Sequence, residues 1–99
     1  MSYYFVVNYD ITDQEKYEQY VQAVVPTLIQ SSGEILVVDH EPNYLEGNSR
    51  NTLVVLEFES EAAAMKWYNS PEYQAIVHLR IDASEGWFRG APQFVMPTD

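Results

Sequence analysis

Two segments of this sequence have apolar side chains at both odd and even positions of a predicted β-strand, and this pattern constrains the fold more than any other feature. Residues 3–9 are aromatic or β-branched except at Asn8, and residues 52–58 are almost as apolar. Such strands need cover on both sides of a sheet. A chain of 99 residues has room for a single domain, predicted here over residues 1–99. That domain can cover one side only.

A long amphipathic helix follows the first strand. Thr12 and Glu15 have the spacing of a capping box, in which Thr12 is the N-cap, and residues 17–29 then carry an apolar stripe at helical spacing. Pro26 predicts a kink or a short break just before it. The Ser-Ser-Gly sequence at residues 31–33 predicts the end of the helix.

Two further strands and a loop complete the predicted sheet. Residues 35–38 form a short second strand, and residues 42–51 form a loop with a turn at residues 47–49. Residues 87–96 form the last strand. Because this strand contains a glycine and a proline, it is predicted to be an edge strand with a bulge.

Two more helices lie between the third and fourth strands. Ser60 caps a helix over residues 61–69. Ser70 and Pro71 then start a third, short helix, which ends before Gly86. The order strand, helix, strand, strand, helix, strand predicts an α+β, ferredoxin-like fold with a four-stranded antiparallel sheet and helices on one face. A second copy covering the bare face would give a homodimer of the dimeric α/β barrel type.

Charge and composition exclude several classes of partner. Five Lys and Arg against fifteen Asp and Glu give a net charge of −10, so this acidic chain would be repelled by nucleic acids and by anionic membranes. It has no cysteine, which excludes thiolate sites and disulfides. The first residues resemble neither a signal peptide nor a membrane span, and we expect a cytoplasmic protein.

One segment carries a family resemblance. It reads Trp-Tyr-Asn-Ser-Pro-Glu-Tyr-Gln at residues 67–74. With Leu45-Glu46-Gly47, residues 54–58 and Ser60, and then Arg80, Ala83 and Gly86, it resembles the small bacterial family called domain of unknown function 1330.

The resemblance implies a dimeric ferredoxin-like barrel and brings no catalytic residues with it. Relatives on the same barrel include cofactor-free monooxygenases, haem-degrading enzymes and lactone isomerases, so the fold does not select an activity. This chain departs from the family pattern at His78 and at the bulky pair Trp87-Phe88.

The two histidines are the first candidates for proton transfer, since imidazole titrates near neutral pH. Asp39 cannot orient His40, because adjacent strand residues point to opposite faces. His78 has Asp82 four residues on, which is a surface helix pair. Neither histidine has the spacing of a metal ligand, and no metal or cofactor is predicted.

Glu57 and five aromatic side chains have two interpretations each. Glu57 shares a strand face with Leu53 and Val55, so it reaches water, pairs with a cation, or is held neutral as a candidate acid or base. The aromatic side chains at helical spacing either pack in the core or line a pocket. They are Tyr17, Tyr20, Trp67, Tyr68 and Tyr73.

Arg80 is the most informative single residue. It lies on the apolar stripe of the last helix, and positions three and four residues away carry no carboxylate. A guanidinium that points inward needs acceptors, so Arg80 is predicted to meet Glu57, Glu46, backbone carbonyls or an anionic ligand.

Two functions stay open at this point. In the first, the domain binds a small apolar or anionic molecule between sheet and helices, with or without cofactor-free catalysis. Its predicted ligand-binding residues are Arg80, Glu57, His40, Trp67, Tyr68 and Tyr73. In the second, the chain is a non-catalytic dimeric module that serves as a structural or protein-interaction unit.

Overall fold

The computed structural model describes residues 1–48 and 50–97. Along the chain these residues form β1 (Tyr3–Ile11), α1 (Gln14–Gln30), β2 (Glu34–Asp39), β3 (Thr52–Phe58), α2 (Glu61–Tyr68), α3 (Pro71–Gln74), α4 (Val77–Ile81) and β4 (Ser84–Pro92). The strands form one antiparallel sheet in the order β2-β3-β1-β4. The predicted α+β fold is therefore confirmed. Within the described ranges, no helix is long and apolar enough to cross a membrane.

The two faces of the sheet have different surroundings. Phe5, Val7 and Tyr9 of β1 are buried in a single core with α1, α2 and α3. Tyr4 and Val6 alternate with them and are only half-buried. Because strand side chains alternate between faces, the helices cover one face of the sheet, here called the inner face. The opposite face, here called the outer face, has no helix packed on it within the described residues.

The first helix begins one residue later than predicted, so the assignment of Thr12 as N-cap was wrong. The Thr12 backbone N–H donates to the Ala83 carbonyl at 2.7 Å, which extends the pairing of β1 with β4 by one residue. Asp13 is the N-cap, and its side chain accepts from the Lys16 backbone N–H at 3.1 Å. Strand pairing thus outweighed the local capping pattern.

Pro26 lies within α1, which runs unbroken from Gln14 to Gln30, so of the predicted kink or short break the break does not occur. The predicted stop is confirmed. Ser32 takes a left-handed conformation at φ 57°, and the Gly33 N–H donates to the Leu28 carbonyl at 2.9 Å. A Cβ on Gly33 would lie 2.7 Å from the Phe58 ring, so the glycine permits close packing of α1 on β3.

The caps predicted for the later helices are confirmed, but the third helix is two helices. Ser60 accepts from the Ala63 backbone N–H at 3.0 Å, and Ser70 accepts from the Tyr73 backbone N–H at 3.2 Å. A two-residue turn at residues 75–76, with a φ of −117° at Ile76, separates α3 from α4.

The last strand occupies residues 84–92 rather than 87–96, and it is an edge strand as predicted. Its pairing with β1 is continuous, so the predicted bulge in this strand was wrong. The structure has a bulge in β2 instead, between Ile35 and Val37. Gly86 serves close approach, because a Cβ there would lie 2.5 Å from the Tyr9 Cα. Glycine in β4 therefore lets the strands meet without a bulge.

The predicted loop is largely confirmed. The described residues between β2 and β3 carry no helix or strand, and Gly47 takes a positive φ of 77° that suits a turn. Ser49, the last residue of the predicted turn, lies outside the described residues.

Candidate functional site

A cavity of about 100 Å³ lies on the inner face, between α1, β2 and the middle strands. Val24 and Leu28 of α1 form one wall, and Val7 and Leu56 of the sheet form the other. These side chains are nearly completely buried. The cavity is below called the inner cavity, and its lining is almost wholly apolar.

The mouth of the inner cavity opens between α1 and β2. Four aliphatic side chains line the cavity and yet are between 36% and 53% exposed. They are Val21 and Val25 of α1 and Ile35 and Val38 of β2. Exposed apolar side chains around an opening are typical of a ligand-binding groove.

Arg80 is the cationic residue of this cavity. It projects from α4, is only 8% exposed, and has its guanidinium carbon 4.9 Å from the centre of the Phe88 ring. Its Nε donates a long hydrogen bond of 3.4 Å to the Tyr73 hydroxyl. Burial opposes its charge, but the Tyr73 and Tyr20 phenols raise the pKa of Arg80 above the ordinary arginine value. Arg80 therefore stays cationic.

Two pairs of phenols stand beside Arg80. The hydroxyls of Tyr20 and Tyr73 are 2.8 Å apart, and those of Tyr9 and Tyr17 are 2.6 Å apart. Burial raises the pKa of Tyr9, Tyr17 and Tyr20 above the ordinary value of 10.0. Tyr9, Tyr20 and Arg80 are the residues with polar side-chain groups among those that line the inner cavity.

Four of the six predicted site residues come together in space. The Trp67 and Tyr73 rings have centroids 4.1 Å apart, and the Tyr68 ring lies 5.5 Å from that of Tyr73. Tyr73 links this cluster to Arg80 through its hydroxyl. The three aromatic side chains are core residues behind the inner cavity rather than part of its lining. Tyr73 contacts both Arg80 and Tyr20 through its hydroxyl, and the Trp67 and Tyr68 rings pack against the Tyr73 ring.

Glu57 and His40 lie away from this cluster. Glu57 pairs with Tyr4 and Glu34 on the outer face, so the sheet separates it from Arg80. His40 is exposed and contacts the Thr52 hydroxyl through Nδ1 at 3.1 Å. Of the acceptors predicted for Arg80, neither Glu57 nor another carboxylate is its partner, since no salt bridge to Arg80 occurs in the described part of the chain.

Sequence reasoning missed most of the cavity lining. It left Tyr20 open between the core and a pocket, and it took Tyr9 only as a strand residue. The signal was present in the apolar stripe of α1, which continues through Val21 and Val25 beyond the width that one sheet contact needs. A stripe of that width indicates that one side of the helix is not covered by the sheet. In this structure that side faces β2.

A larger polar groove of about 480 Å³ lies between the end of α1 and α2. Thr27 in this groove accepts from Trp67 Nε1 at 3.0 Å, and Ser70 is the N-cap of α3. Because these polar groups already serve local structure, this groove is a weaker candidate than the inner cavity. Among the described residues no group of three or more His, Asp or Glu side chains is arranged to hold a metal ion.

The outer face carries an apolar strip across three strands. Val37, Val55 and Val6 are cross-strand neighbours on β2, β3 and β1, and Leu53 lies beside them. Val6, Leu53 and Val55 are half-buried, whereas Val37 is 38% exposed. Trp87 of β4 is 40% exposed on the same face. Such a strip is typical of an interface.

Comparison with known proteins supports the fold. The family model described as Domain of unknown function (DUF1330) matches residues 2–89. A comparison with curated proteins found no match.

Solved structures with the same fold have low sequence identity. A protein of unknown function from Rhodopseudomonas palustris is 14% identical, with a TM-score of 0.78 over 96% of this chain and 84% of that one. SnoaB, a cofactor-independent oxygenase from Streptomyces nogalater, is 10% identical, with a TM-score of 0.67 over 98% of each chain. A dimeric protein of unknown function with a ferredoxin-like fold, from Bacteroides fragilis, is 16% identical, with a TM-score of 0.61 over 93% of this chain and 96% of that one.

Proposed function

This chain belongs to the family described as Domain of unknown function (DUF1330), and we propose that it is a homodimeric domain that binds a small molecule in the inner cavity of each subunit. The proposal assigns no reaction. The likeness to SnoaB, at 10% identity, supports a shared fold and does not carry the oxygenase activity to this chain.

One observation carries the binding proposal. Arg80 is buried at the edge of an apolar cavity, and within residues 1–48 and 50–97 it has no carboxylate partner. In a chain with fifteen acidic residues, a structural arginine would readily find one. A buried cation whose partners are phenols and the Phe88 ring is costly for a protein that gains nothing from it. A ligand that binds in the cavity and accepts hydrogen bonds from Arg80 would offset this cost.

Closing the mouth of the inner cavity tests the proposal. Val38→Trp places a large ring at the mouth from an exposed position of β2, so it should block binding without disturbing the core. We expect single-ring acids, amides or alcohols to bind the parent protein with dissociation constants below about 1 mM in ligand-detected NMR. Val38→Trp should abolish the signal.

Leu36→Trp is the matched control, because Leu36 lies on the same strand, is 47% exposed and does not line the cavity. It should leave binding unchanged. Failure of every compound to bind the parent protein, or equal binding by Val38→Trp, would contradict the proposal. In that case a non-catalytic dimeric module becomes the better account of the fold.

The homodimer is proposed from the outer face. Its apolar strip needs cover that the described residues do not supply, and a second copy offers the same strip across a twofold axis. Similar folds from Bacteroides fragilis and Thermobifida fusca are described as dimeric, which supports this assembly.

Val55→Asp should convert the dimer into a monomer. Val55 is at the centre of the strip, and a carboxylate there would be desolvated against an apolar surface. We expect light scattering to give about twice the chain mass of 11.4 kDa for the parent protein and 11.4 kDa for the variant. Ile81→Asp, at a 56% exposed position of α4, is the control and should remain dimeric. A monomeric parent protein at micromolar concentration would refute the homodimer.

A further inference from the structure

The polar groups of the inner cavity are hydrogen-bond donors. Arg80 uses Nε for Tyr73, and its two terminal nitrogens have no hydrogen bond to any described residue. Among those residues, no fully buried side-chain nitrogen or oxygen lacks a partner. The terminal nitrogens of Arg80 are therefore not fully enclosed, and the inner cavity is the space that Arg80 lines.

Tyr20 is the second polar residue of the cavity, and its hydroxyl shares a hydrogen bond with the Tyr73 hydroxyl in which either oxygen can be the donor. Tyr73 is completely buried and accepts the Nε–H of Arg80. Its own proton has one acceptor within reach among the described residues, which is the Tyr20 hydroxyl oxygen at 2.8 Å. When Tyr73 donates to Tyr20, Tyr20 keeps a free proton; when Tyr20 donates, the proton of the completely buried Tyr73 has no acceptor among the described residues, which costs more. Tyr20 is among the residues that line the inner cavity, so a ligand bound there can accept its proton.

A site that offers a guanidinium group and a hydroxyl donor favours a ligand group that is planar, anionic and able to accept hydrogen bonds. A carboxylate matches the guanidinium through two parallel N–H···O bonds and has further lone pairs for the Tyr20 hydroxyl. A neutral amide would bring N–H groups to donors and leave them unpaired. A dianionic ligand group would be only half neutralised by the single charge of Arg80. Its second charge would be repelled by a chain whose net charge is −10.

The space around these donors limits the rest of the ligand. The cavity holds about 100 Å³ and its walls are aliphatic. Apolar cavities of about 150 Å³ take up benzene. The inner cavity is smaller than that, so a single ring or a short branched chain fits only with part of it at the mouth between α1 and β2.

We propose, on the basis of the proposed function, that the ligand is a monocarboxylate with a small apolar body. Arg80 and Tyr20 bind its carboxylate, and the side chains of α1 and β2 cover its apolar body.

The direct test compares isosteric probes on the intact protein. Benzoate and benzamide share one ring and differ in charge, and phenyl phosphate adds a second charge. We expect isothermal titration calorimetry at pH 7.5 to give benzoate an affinity at least about tenfold higher than that of benzamide or phenyl phosphate. If benzamide binds as tightly as benzoate and Val38→Trp abolishes this binding, the preference for a carboxylate is contradicted. The proposed binding function of the inner cavity would still stand. Tighter binding of phenyl phosphate than of benzoate would contradict the proposal that the ligand carries a single negative charge.

Variants assign the two donors. Arg80→Met keeps an unbranched aliphatic side chain and removes the guanidinium group, so the affinity for benzoate should fall by about tenfold or more. Tyr20→Phe removes one hydroxyl and should weaken benzoate by about threefold to tenfold while benzamide changes less. Lys66→Met, at an exposed position of α2, is the charge-matched control and should bind as the parent does. If Arg80→Met does not fold, as judged by circular dichroism, Tyr20→Phe decides the matter, and unchanged selectivity in that variant would refute the role of the hydroxyl.

Discussion

Replacing Trp67 by alanine should lower the free energy of unfolding by about 3 to 5 kcal/mol. Trp67 is 1% exposed, and its ring lies against Phe58 and Tyr73 with centroid distances of 5.4 and 4.1 Å. Its Nε1 also donates to the Thr27 hydroxyl, so the change leaves both a cavity and an unpaired acceptor. Because small domains have a total stability of about 5 to 15 kcal/mol, much of the fold's margin would be lost.

Urea denaturation followed by circular dichroism measures the effect. Phe94→Ala is the control, since Phe94 is also aromatic but is 76% exposed beyond β4, and its loss should fall within about 0.5 kcal/mol. A loss below about 1 kcal/mol for Trp67→Ala would mean that the ring is not a central part of the core.

The protein should unfold cooperatively in alkali. Burial raises the pKa of Tyr9, Tyr17 and Tyr20, so above the ordinary value of 10.0 the folded chain holds protons that the unfolded chain loses. Their contribution is fully present below pH 10 and is lost as pH rises toward the folded pKa values. For each phenol that stays protonated, stability should fall by about 1.4 kcal/mol per pH unit in that window.

Phenolate absorbance and circular dichroism, recorded together, test this expectation. At least three of the eight tyrosines should ionise only when the secondary structure is lost. Tyr20→Phe should flatten the dependence of stability on pH by one proton, whereas Tyr44→Phe removes an exposed phenol and serves as the control. Ionisation of all eight phenols in a chain that still shows folded circular dichroism would contradict the buried network.

The fold could be predicted largely because its signals are periodic and local. The two-sided apolar pattern of residues 52–58 gave β3 its observed bounds, and Ser60 and Ser70 capped the helices as expected. The errors arose where a distant partner decided the outcome. Thr12 pairs with Ala83 across the sheet, a contact between residues far apart in sequence that no local capping rule contains.

The site was harder to predict because a cavity is a gap between elements. The lack of a local partner for Arg80 could be seen in the sequence, and its predicted burial is confirmed. Which face Glu57 occupies relative to Arg80 depends on how the sheet and α4 pack, and that arrangement placed them on opposite sides. The hydroxyl chain from Arg80 through Tyr73 to Tyr20 joins α4, α3 and α1, which only the folded chain brings together.

The bulge in β2 places Ile35 and Val38 on the same face, while the ordinary alternation of the strand places Val37 and Val38 on opposite faces. Since one extra residue sits between Ile35 and Val37, the alternation of the strand changes phase there, and Ile35 and Val38 both line the inner cavity while Val37 lies beside Val55 on the outer face. We therefore expect changes at Val37 to affect the proposed self-association and changes at Val38 to affect the cavity. A one-residue step along β2 is enough for separation-of-function alleles, so these two properties of the chain can evolve independently within a single strand.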